Sequence, residues 1–431
     1  MNASEFISKR LEAILKTIAA GLQWLMFHIG VVISVPVIVG GGFQLSPAGV
    51  ENLIALTFII TGIGSLLQVA LGHGNLLIEG PAGPWWAAFL VIVSVSTAGG
   101  IPIQTIRTDI QGALIIAGLV LFAAGLLGII RLIKQLFTPR VTGVFLLLIA
   151  VQISGIAIER MVADGLGLFV ISVGVLLLSI TLLTKAKGLL KQAALLISIL
   201  LGWGLAGVLG LTTETLTRGG TGLLQVPELF PWGTPSFDPG TVITLSILGF
   251  LLIPNQIGSL KAMESATGDP IATRRYDLGL AASGLTSFFA GLTGGVGTTP
   301  FAISAGLVSV TKDKRRLPFL LGAGLFILIG LLSPLARVLT TLPGSIAGAI
   351  LLISISSIAM IGVSHIGQEK LSTGSTFSVG ISILAGTGVM LMPSEFWPSL
   401  PPLVSSIFSN GVITGTLAAL FFEQLVFPNA Q

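Results

Sequence analysis

The chain has 431 residues, of which 53% are hydrophobic and only 9% are charged, and its mean hydropathy is +1.01. A soluble domain is about 25% charged, and the basic residues here lie in short clusters between apolar runs, so this composition and the net charge of +4 exclude a water-soluble enzyme and a nucleic-acid-binding protein. The absence of cysteine excludes disulfides and thiolate metal sites.

Fourteen apolar runs follow one another along the chain, each close to the roughly 20 residues that a helix needs to cross a bilayer. This pattern predicts an all-α polytopic membrane protein with 14 transmembrane segments. Residues 1–16 are predicted to be a short amphipathic cytoplasmic lead-in and not a cleavable signal. We number the segments spans 1 to 14: residues 17–40, 50–71, 78–97, 109–132, 139–159, 166–184, 188–210, 238–262, 274–292, 296–312, 316–340, 342–363, 373–392 and 401–425.

Lysine and arginine residues are distributed unequally between the two sets of loops. The N-terminus and the loops that follow even-numbered spans, with their flanks, hold 17 of them. The opposite set holds only 4, namely Arg107, Arg160, Arg218 and Arg337. Because cytoplasmic loops are enriched in these residues, we predict that both termini lie in the cytoplasm and that the protein resides in the cell (plasma or inner) membrane.

The longest polar connection, residues 211–237, separates residues 1–210, with spans 1–7, from residues 238–431, with spans 8–14. Since seven is an odd number, the second half enters the membrane from the side opposite to the first. The sequence therefore predicts a 7+7 inverted repeat, which is a common architecture of secondary transporters.

Spans 3 and 10 correspond to each other in the two halves, and both begin with Gly and Pro residues: EGPAGP at 79–84 and GGVGTTP at 294–300. Because Gly and Pro interrupt helices, we predict a short extended break before a half-helix in each span. Non-helical backbone at membrane depth is tolerated where it lines a cavity, so the paired breaks predict a substrate site between two half-helix N-termini. The alternative is two surface hairpins at helix starts.

Several stretches resemble the nucleobase–ascorbate transporter family, also called the nucleobase:cation symporters. More closely, the chain is similar to a divergent bacterial branch of that family named for purine permeases, which has stretches like residues 79–86 and Asn410-Gly411. Two positions depart from the family motifs, because Trp24 replaces a His and Ser304 replaces an Asn. The matching positions are Gln23, Gly30 and Pro36 in span 1, Leu136, Phe137, Pro139, Gly143 and Gly155 at span 5, and Thr299, Pro300, Gly306, Thr311 and Lys312 in span 10.

This resemblance covers nearly the whole chain and implies two domains, each built from both halves. Spans 1–4 and 8–11 would form a core domain that holds the substrate, and spans 5–7 and 12–14 a gate domain. The resemblance also implies uptake of a nucleobase, a purine or a xanthine- or uracil-like base, usually driven by protons or another cation. It suggests a homodimer.

The family's two membrane carboxylates are missing from this sequence. The one in span 8 that usually hydrogen-bonds the base is replaced by Asn255, and the second, in span 10, by Ile303; Ser259 stands where some members have His. We expect Asn255 and its neighbour Gln256 to bind the base edge, since an amide offers donors and an acceptor. The alternative for both is a hydrogen bond that joins two helices.

Aromatic and small residues complete the predicted substrate site. We expect Trp85 to stack on a flat base, although such a residue can also belong to an interfacial Trp belt. We expect Gln23 to join a polar network, the alternative being helix packing. The full set of predicted substrate-binding residues is Asn255, Gln256, Trp85, Gly83, Val31, Ile303, Ser304 and Gln23.

Glu79 and His28 are the candidates for proton coupling, because ionisable groups inside a membrane often mark functional sites. The alternatives are a helix-start carboxylate for Glu79 and a neutral hydrogen-bonded histidine for His28. We expect no cofactor and no metal, and no nucleophile–base pair accompanies the breaks, so the sequence predicts that the protein is not an enzyme.

These observations predict a secondary transporter, or permease, for a nucleobase, working by alternating access. The first alternative is an anion transporter of the sulfate or bicarbonate type, which shares this fold and needs no carboxylate in its site. The second is a membrane sensor that binds a base without moving it. The sequence leaves open which base is carried, the coupling ion and the oligomeric state.

Overall fold

The computed structural model describes residues 3–133, 135–212, 223–368 and 372–427. In these ranges two short strands are present, β1 (Glu79–Pro81) and β2 (Thr298–Pro300), with a 3-10 helix at Ser394–Ser399 and a π-helical turn at Phe422–Val426. The α-helices are α1 (Ala3–Gly42), α2 (Pro47–Ala70), α3 (Gly83–Ala98), α4 (Ile103–Leu126), α5 (Ile130–Ile133), α6 (Pro139–Ala163), α7 (Leu166–Lys185), α8 (Gly188–Gln192), α9 (Ala194–Val208), α10 (Pro239–Leu251), α11 (Ile253–Thr267), α12 (Thr273–Thr293), α13 (Ile303–Thr311), α14 (Arg316–Leu331), α15 (Ser333–Leu339), α16 (Gly344–Ile366), α17 (Thr373–Met390), α18 (Pro402–Phe408) and α19 (Gly411–Phe421).

The helical segments coincide with the predicted spans, each of which overlaps one helix or two successive helices. In the described ranges eight helices, with α10 and α11 taken as one, are long and apolar enough to cross a membrane. A ninth crossing results if α18 and α19, which are bent by 84°, form one span; α3, α9 and α14 are apolar but shorter. The polytopic helical fold is confirmed, whereas the count of fourteen, the 7+7 repeat and the side of the termini stay predictions. Three basic residues used for the orientation, Lys134, Arg218 and Lys370, lie outside the described residues.

Several helices begin where the sequence supplies a capping side chain, usually followed by proline. A helix N-terminus leaves backbone N–H groups without partners, and a side-chain oxygen can accept one of them. Proline fits the first turn because it has no N–H to leave unpaired. These signals therefore set the starts of α2, α6, α10 and α19 within long apolar sequence. The pairs of capping side chain and backbone N–H are Ser46–Gly49, Thr138–Val141, Asp238–Thr241 and Asn410–Val412.

Glycines bring α4 and α12 into backbone contact. A Cβ atom at Gly118 would lie 2.4 Å from the backbone nitrogen of Phe288, and one at Gly284 would lie 2.3 Å from that of Phe122. Gly125, seven residues after Gly118, approaches the α12 backbone in the same way. Lipid supplies no hydrophobic force between helices, so small residues that allow close packing hold such crossings together.

The two strands lie in the interior of the helix bundle. β1 contacts α2, and β2 contacts α11 and α12. The helices around the strands pack against one another in pairs. These pairs are α1 with α14, α2 with α14, α4 with α10, α6 with α16, α7 with α9, α7 with α16, and α17 with α19. The buried apolar residues of these helices form one hydrophobic cluster, so the strands are enclosed by protein.

Gly284→Ala is expected to destabilise the protein, because its methyl group would lie 2.3 Å from the backbone nitrogen of Phe122 and no side-chain rotation relieves that contact. Overpacking costs about 1–3 kcal/mol, so the variant should unfold at a lower temperature in detergent. Gly174→Ala in α7 is the matched control, since nothing lies within 4 Å of its Cβ position. Equal unfolding temperatures for both variants would contradict the close crossing of α4 and α12.

Candidate functional site

The two predicted breaks meet and form a short antiparallel ladder. Gly80 is paired with Thr299 at its centre, and beyond one end the Ala82 amide donates to the Gly297 carbonyl at 2.9 Å. All six strand residues are buried. The extended segments satisfy some of each other's backbone groups, and helices α2 and α12 satisfy others: Ser65 Oγ accepts the Glu79 N–H at 2.9 Å and Ser287 Oγ accepts the Thr298 N–H at 3.2 Å, as non-helical backbone away from water requires. Helices α3 and α13 begin directly after the strands.

A cavity of about 430 Å³ lies beside this ladder, a size suited to a small planar ligand. One wall, which we call the strand wall, comes from α11, β2, α13 and the start of α3. The other, the helix wall, comes from α6 and α16. Four residues predicted for the substrate site line the cavity: Val31, Gly83, Asn255 and Ile303.

Asn255 is presented to the cavity next to a helix break. Helix α10 ends at Leu251 and α11 begins at Ile253, and Pro254 has no N–H with which to continue the hydrogen bonds of α10. The Asn255 Nδ2 donates to Thr299 Oγ1 at 3.0 Å. Within the described structure, this leaves a second N–H and the carbonyl oxygen of the amide available to a ligand.

Phe301 is the aromatic residue that lines the cavity. Its ring packs over Gly80, where a Cβ atom would lie only 2.3 Å from the ring, so only glycine fits there. Ser259 supports the same wall, because its Oγ lies 2.9 Å from the Pro300 carbonyl and ties α11 to β2. Sequence reasoning missed Phe301, although its place directly after the second break was a usable signal.

Trp85, predicted to stack on the substrate, is completely buried in the protein and lies outside the cavity lining. Its indole packs against the Gly297 backbone, where a Cβ atom would lie 2.7 Å from the ring. The missing side chain at Gly297 makes room for the indole in the interior. That is the physical reason why a ligand in this cavity does not reach Trp85.

Gln256 and Gln23 also lie away from the cavity. The Gln256 Nε2 donates to the Tyr276 carbonyl at 2.9 Å and joins α11 to α12. This is the hydrogen bond between helices that was the alternative to substrate binding. Successive residues on a helix are turned by about 100°, so Gln256 cannot face the same way as Asn255. Gln23 is half-buried on α1.

Ser304 and His28 form a buried pair behind the strand wall. His28 Nδ1 lies 2.9 Å from the Trp24 carbonyl and its Nε2 lies 2.8 Å from Ser304 Oγ. Because a carbonyl can only accept, Nδ1 carries the proton, and Nε2 of a neutral ring then accepts from the serine hydroxyl. Ser304 Oγ in turn accepts the Ile78 N–H at 3.1 Å. The geometry suits a neutral, hydrogen-bonded His28, whose ring lies 6.4 Å from that of Phe301.

Glu79 is completely buried and does not line the cavity. Successive residues of a strand point to opposite faces, so its side chain leaves the ladder on the face opposite to Gly80. One carboxylate oxygen accepts from Ser283 Oγ at 2.6 Å and from Thr298 Oγ1 at 3.1 Å, and the other from Gln68 Nε2 at 3.0 Å. Helices α2 and α12 and strand β2 thus each supply one neutral donor to the carboxylate.

The helix wall contributes polar residues that sequence reasoning did not predict, namely Thr142, Ser354, Ser357 and His365. In α16 the lining residues recur every three or four positions, as expected for one face of a helix. Serines in an apolar span also serve helix packing, so the pattern alone did not distinguish them. The described part of the chain holds no cluster of three or more His, Asp or Glu residues that could bind a metal ion.

Comparison with protein families matches residues 15–395 to a family described as "Permease family". The chain belongs to this family, the nucleobase–ascorbate transporters. Among its relatives, the Bacillus subtilis protein named "Putative purine permease YwdJ" is 31% identical over 427 residues, which cover 95% of this chain and 96% of that protein. The Bacillus subtilis uric acid permease PucJ is 25% identical over 424 residues, or 95% and 92% of the two chains. The chain is therefore a multi-pass membrane permease and not an enzyme.

Solved structures share the fold. The transmembrane domain of a cyanobacterium bicarbonate transporter, BicA, aligns with a TM-score of 0.60 at 16% identity and covers 90% of this chain and 97% of that one. The murine anion transporter Slc26a9 in its inward-facing state aligns with a TM-score of 0.64 at 10% identity, covering 96% of this chain and 68% of that one. At such identities the likeness concerns the fold alone.

Gly258→Ala is expected to weaken binding of a base without destabilising the protein. Gly258 lines the cavity on α11, and nothing lies within 4 Å of its Cβ position, so the methyl group would occupy ligand space. One methyl group in a fitted pocket changes affinity by about tenfold or more, and alanine favours the helix. Binding of labelled xanthine to purified protein measures the effect.

Gly324→Ala in α14 is the control for this experiment, since its Cβ position is equally open but does not border the cavity. It should bind xanthine like the parent. Parental affinity in Gly258→Ala would mean that the base binds elsewhere.

Proposed function

We propose that this permease is a secondary transporter that takes up a nucleobase, a purine or a xanthine- or uracil-like base, by alternating access. The observation that carries the proposal is the cavity beside the buried ladder, with Asn255 and Phe301 in its lining. An amide can pair with the donors and acceptors of a base edge, and an aromatic ring offers stacking worth roughly 1–3 kcal/mol per base. The relatives named as purine, uric acid and xanthine permeases support the same substrate class.

The packing of the helices supports a 7+7 inverted repeat. Helices α2 and α14 belong to spans 2 and 11, and they contact each other. The spans seven positions away are spans 9 and 4, which contain α12 and α4, and these helices also contact each other. The contact of α1 with α14, in spans 1 and 11, corresponds in the same way to the contact of α10 with α4, in spans 8 and 4. The strands β1 and β2 lie in spans 3 and 10, which correspond to each other, so their pairing is its own counterpart. We propose that α1–α5 and α10–α15 form the core domain, and that α6–α9 and α16–α19 form the gate domain that moves against it.

For the coupling ion we propose a proton, with Glu79 as its carrier and His28 as the second candidate. An ionised carboxylate inside a membrane protein is costly, so its protonation and the surrounding structure depend on each other. Glu79 is also connected to the cavity, because its partner Thr298 precedes Thr299 and Thr299 holds the Asn255 amide. A change of charge at Glu79 can thus act on the substrate wall through β2.

An anion transporter of the sulfate or bicarbonate type is the second candidate. The lack of a carboxylate among the described residues that line the cavity favours it, and the fold shared with BicA and Slc26a9 is compatible with it. A sensor that binds a base without moving it is the third candidate.

Counterflow in proteoliposomes tests these candidates. Vesicles loaded with unlabelled xanthine should accumulate labelled xanthine, and hypoxanthine, urate and uracil should be compared with sulfate as competitors. Asn255→Ala should slow counterflow about tenfold, because it removes hydrogen bonds to the base edge that are worth about 1–2 kcal/mol. Asn52→Ala is the matched control, since that exposed amide of α2 lies outside the cavity. Counterflow of sulfate alone would favour the anion transporter, and binding without counterflow would favour the sensor.

Glu79→Gln is expected to abolish accumulation driven by a proton gradient while sparing exchange of xanthine. The amide keeps the shape of the side chain and removes the group that can ionise. Uptake under an imposed pH gradient, compared with counterflow in the same vesicles, separates the two activities. Proton-driven accumulation that persists in a variant with both Glu79→Gln and His28→Gln would show that neither residue carries the proton.

A further inference from the structure

The carboxylate of Glu79 belongs to a buried cluster of polar side chains between the two strands and helices α2 and α12. None of these residues exposes more than 5% of its surface, so they bond to one another and not to solvent. The hydroxyl oxygens of Thr286 and Thr298 lie 2.7 Å apart, and either of them can be the donor. Thr298 Oγ1 in turn lies 3.1 Å from Glu79 Oε1. The members of the cluster are Gln68, Glu79, Ser283, Thr286 and Thr298.

The two carboxylate oxygens of Glu79 face different kinds of group. Oε2 lies 3.0 Å from the end of the Gln68 amide that also lies 3.0 Å from the Gly279 carbonyl. Because a carbonyl can only accept, this end of Gln68 is its NH₂ group, which can only donate. A proton on Oε2 would therefore have no acceptor. In contrast, Oε1 faces the hydroxyl groups of Ser283 and Thr298, which can both donate and accept.

The ionised form of Glu79 uses these hydroxyl groups as donors. Ser283 and Thr298 both donate to Oε1, and Thr286 can donate to the oxygen of Thr298. If Oε1 binds a proton, it becomes a donor itself, and the hydroxyl that accepts from it must turn its single hydrogen to another acceptor. For Ser283 the described structure shows no such acceptor, since its Oγ otherwise accepts from Gln68 Nε2 at 2.9 Å. For Thr298 the acceptor is Thr286 Oγ1.

Thr286 can complete this reversal of the chain. Its Oγ1 lies 3.0 Å from the carbonyl oxygens of both Ala282 and Ser283, so its own hydrogen can turn away from Thr298. The hydroxyl hydrogens only rotate about their C–O bonds, and the bound proton stays on Glu79. The two threonines thus keep an acceptor for each hydrogen in both protonation states, and Thr298 depends on the Thr286 hydroxyl only when Glu79 is protonated.

We infer that the coupling proton binds to Oε1 of Glu79, and that Thr286 is a positioning residue that stabilises this protonated form through the hydroxyl of Thr298. The inference rests on the proposed function, in which a proton drives uptake through Glu79. Thr286 does not line the cavity and has no hydrogen bond to Glu79 in the described structure, so it acts through Thr298. Strand β2 need not move when the chain reverses, because the Thr298 N–H is held separately by Ser287 Oγ at 3.2 Å.

Glu79 is the ionisable group on which this chain acts. Helices α1, α2, α11 and α12 pack on the two strands. None of their buried or half-buried ionisable side chains forms a hydrogen bond or an ion pair with Glu79 in the described structure, and neither does His73 in the connection from α2 to β1. A change in pH dependence caused at Thr286 can therefore be assigned to Glu79. The ionisable side chains of these helices are His28, Glu51, Glu264, Tyr276 and Asp277.

Thr286→Val tests the inference, because it removes the hydroxyl group and keeps the shape of the side chain. Protonated Glu79 can then donate to a hydroxyl only by leaving the hydrogen of that hydroxyl without an acceptor, whereas the ionised carboxylate keeps its donors. The rate of proton-driven uptake of labelled xanthine is measured against external pH in proteoliposomes and divided by the rate of counterflow in the same vesicles. The pH of half-maximal uptake should fall by about one unit, because the protonated form loses one buried hydrogen bond.

Two further substitutions separate the hydroxyl group from the size of the side chain. Thr286→Ser keeps the hydroxyl and should retain the parental pH dependence, although it loses the methyl group that lies near Gly64. Thr286→Ala lacks the hydroxyl and adds no bulk, so it should show the same shift as Thr286→Val. Loss of counterflow in both Thr286→Val and Thr286→Ala would show a role in packing and overturn the inference.

Thr416→Val in α19 is the matched control. Thr416 is completely buried, and its hydroxyl donates to the Val412 carbonyl at 2.6 Å, away from the cluster. The pH dependence of this variant should equal that of the parent. An unchanged pH dependence in Thr286→Val and Thr286→Ala, or an equal shift in Thr286→Ser, would overturn the inference and leave the proposed function intact. Absence of proton-driven uptake in the parent would overturn the proton coupling itself.

Discussion

Hydrogen bonding of the backbone away from water is the constraint from which the arrangement of this permease follows. Residues 79–84 and 294–300 contain too much Gly and Pro to continue a helix, and a peptide group without a partner in a membrane costs several kcal/mol. Each segment finds partners in the other, through β1, β2 and the additional bond from Ala82 to Gly297, and the hydroxyl groups of Ser65 and Ser287 accept the N–H groups of Glu79 and Thr298. Because the ladder forms only where the two segments meet, it joins the two halves of the chain and fixes the starts of α3 and α13.

The features of the fold that depend on local chemistry could be predicted from the sequence. The breaks follow from Gly and Pro, and the positions of the helices follow from the length of the apolar runs. The division of span 8 between Leu251 and Ile253 was not predicted, although Pro254 lies next to it. The crossing of α4 and α12 could not be predicted either, because the close backbone contacts at Gly118 and Gly284 become visible only when the two helices are placed together.

The lining of the candidate cavity could be predicted at residues whose position relative to the breaks or to the family motifs is fixed. Asn255, Gly83 and Ile303 line the cavity for that reason. Trp85 does not line it, because the space beside Gly297 that encloses its indole arises from the opposite half of the chain. Residues of the helix wall such as His365 were not predicted. In a uniformly apolar helix, the packing of the neighbouring helices decides which face lines the cavity, and the sequence of the helix does not show that packing.

The two walls of the cavity differ in how their polar side chains are bonded. On the strand wall, Asn255 and Ser259 bond to β2 and so connect separate segments. On the helix wall, the Thr142 hydroxyl donates to the carbonyl of Phe137 and the Ser354 hydroxyl donates to that of Ile350. These two hydrogen bonds therefore lie within single segments. The described residues that line one wall share no hydrogen bond with those that line the other. In the alternating access that we propose, the helix wall would slide along the strand wall by exchanging one set of apolar contacts for another, and the hydrogen bonds of Asn255, Ser259, Thr142 and Ser354 would be kept.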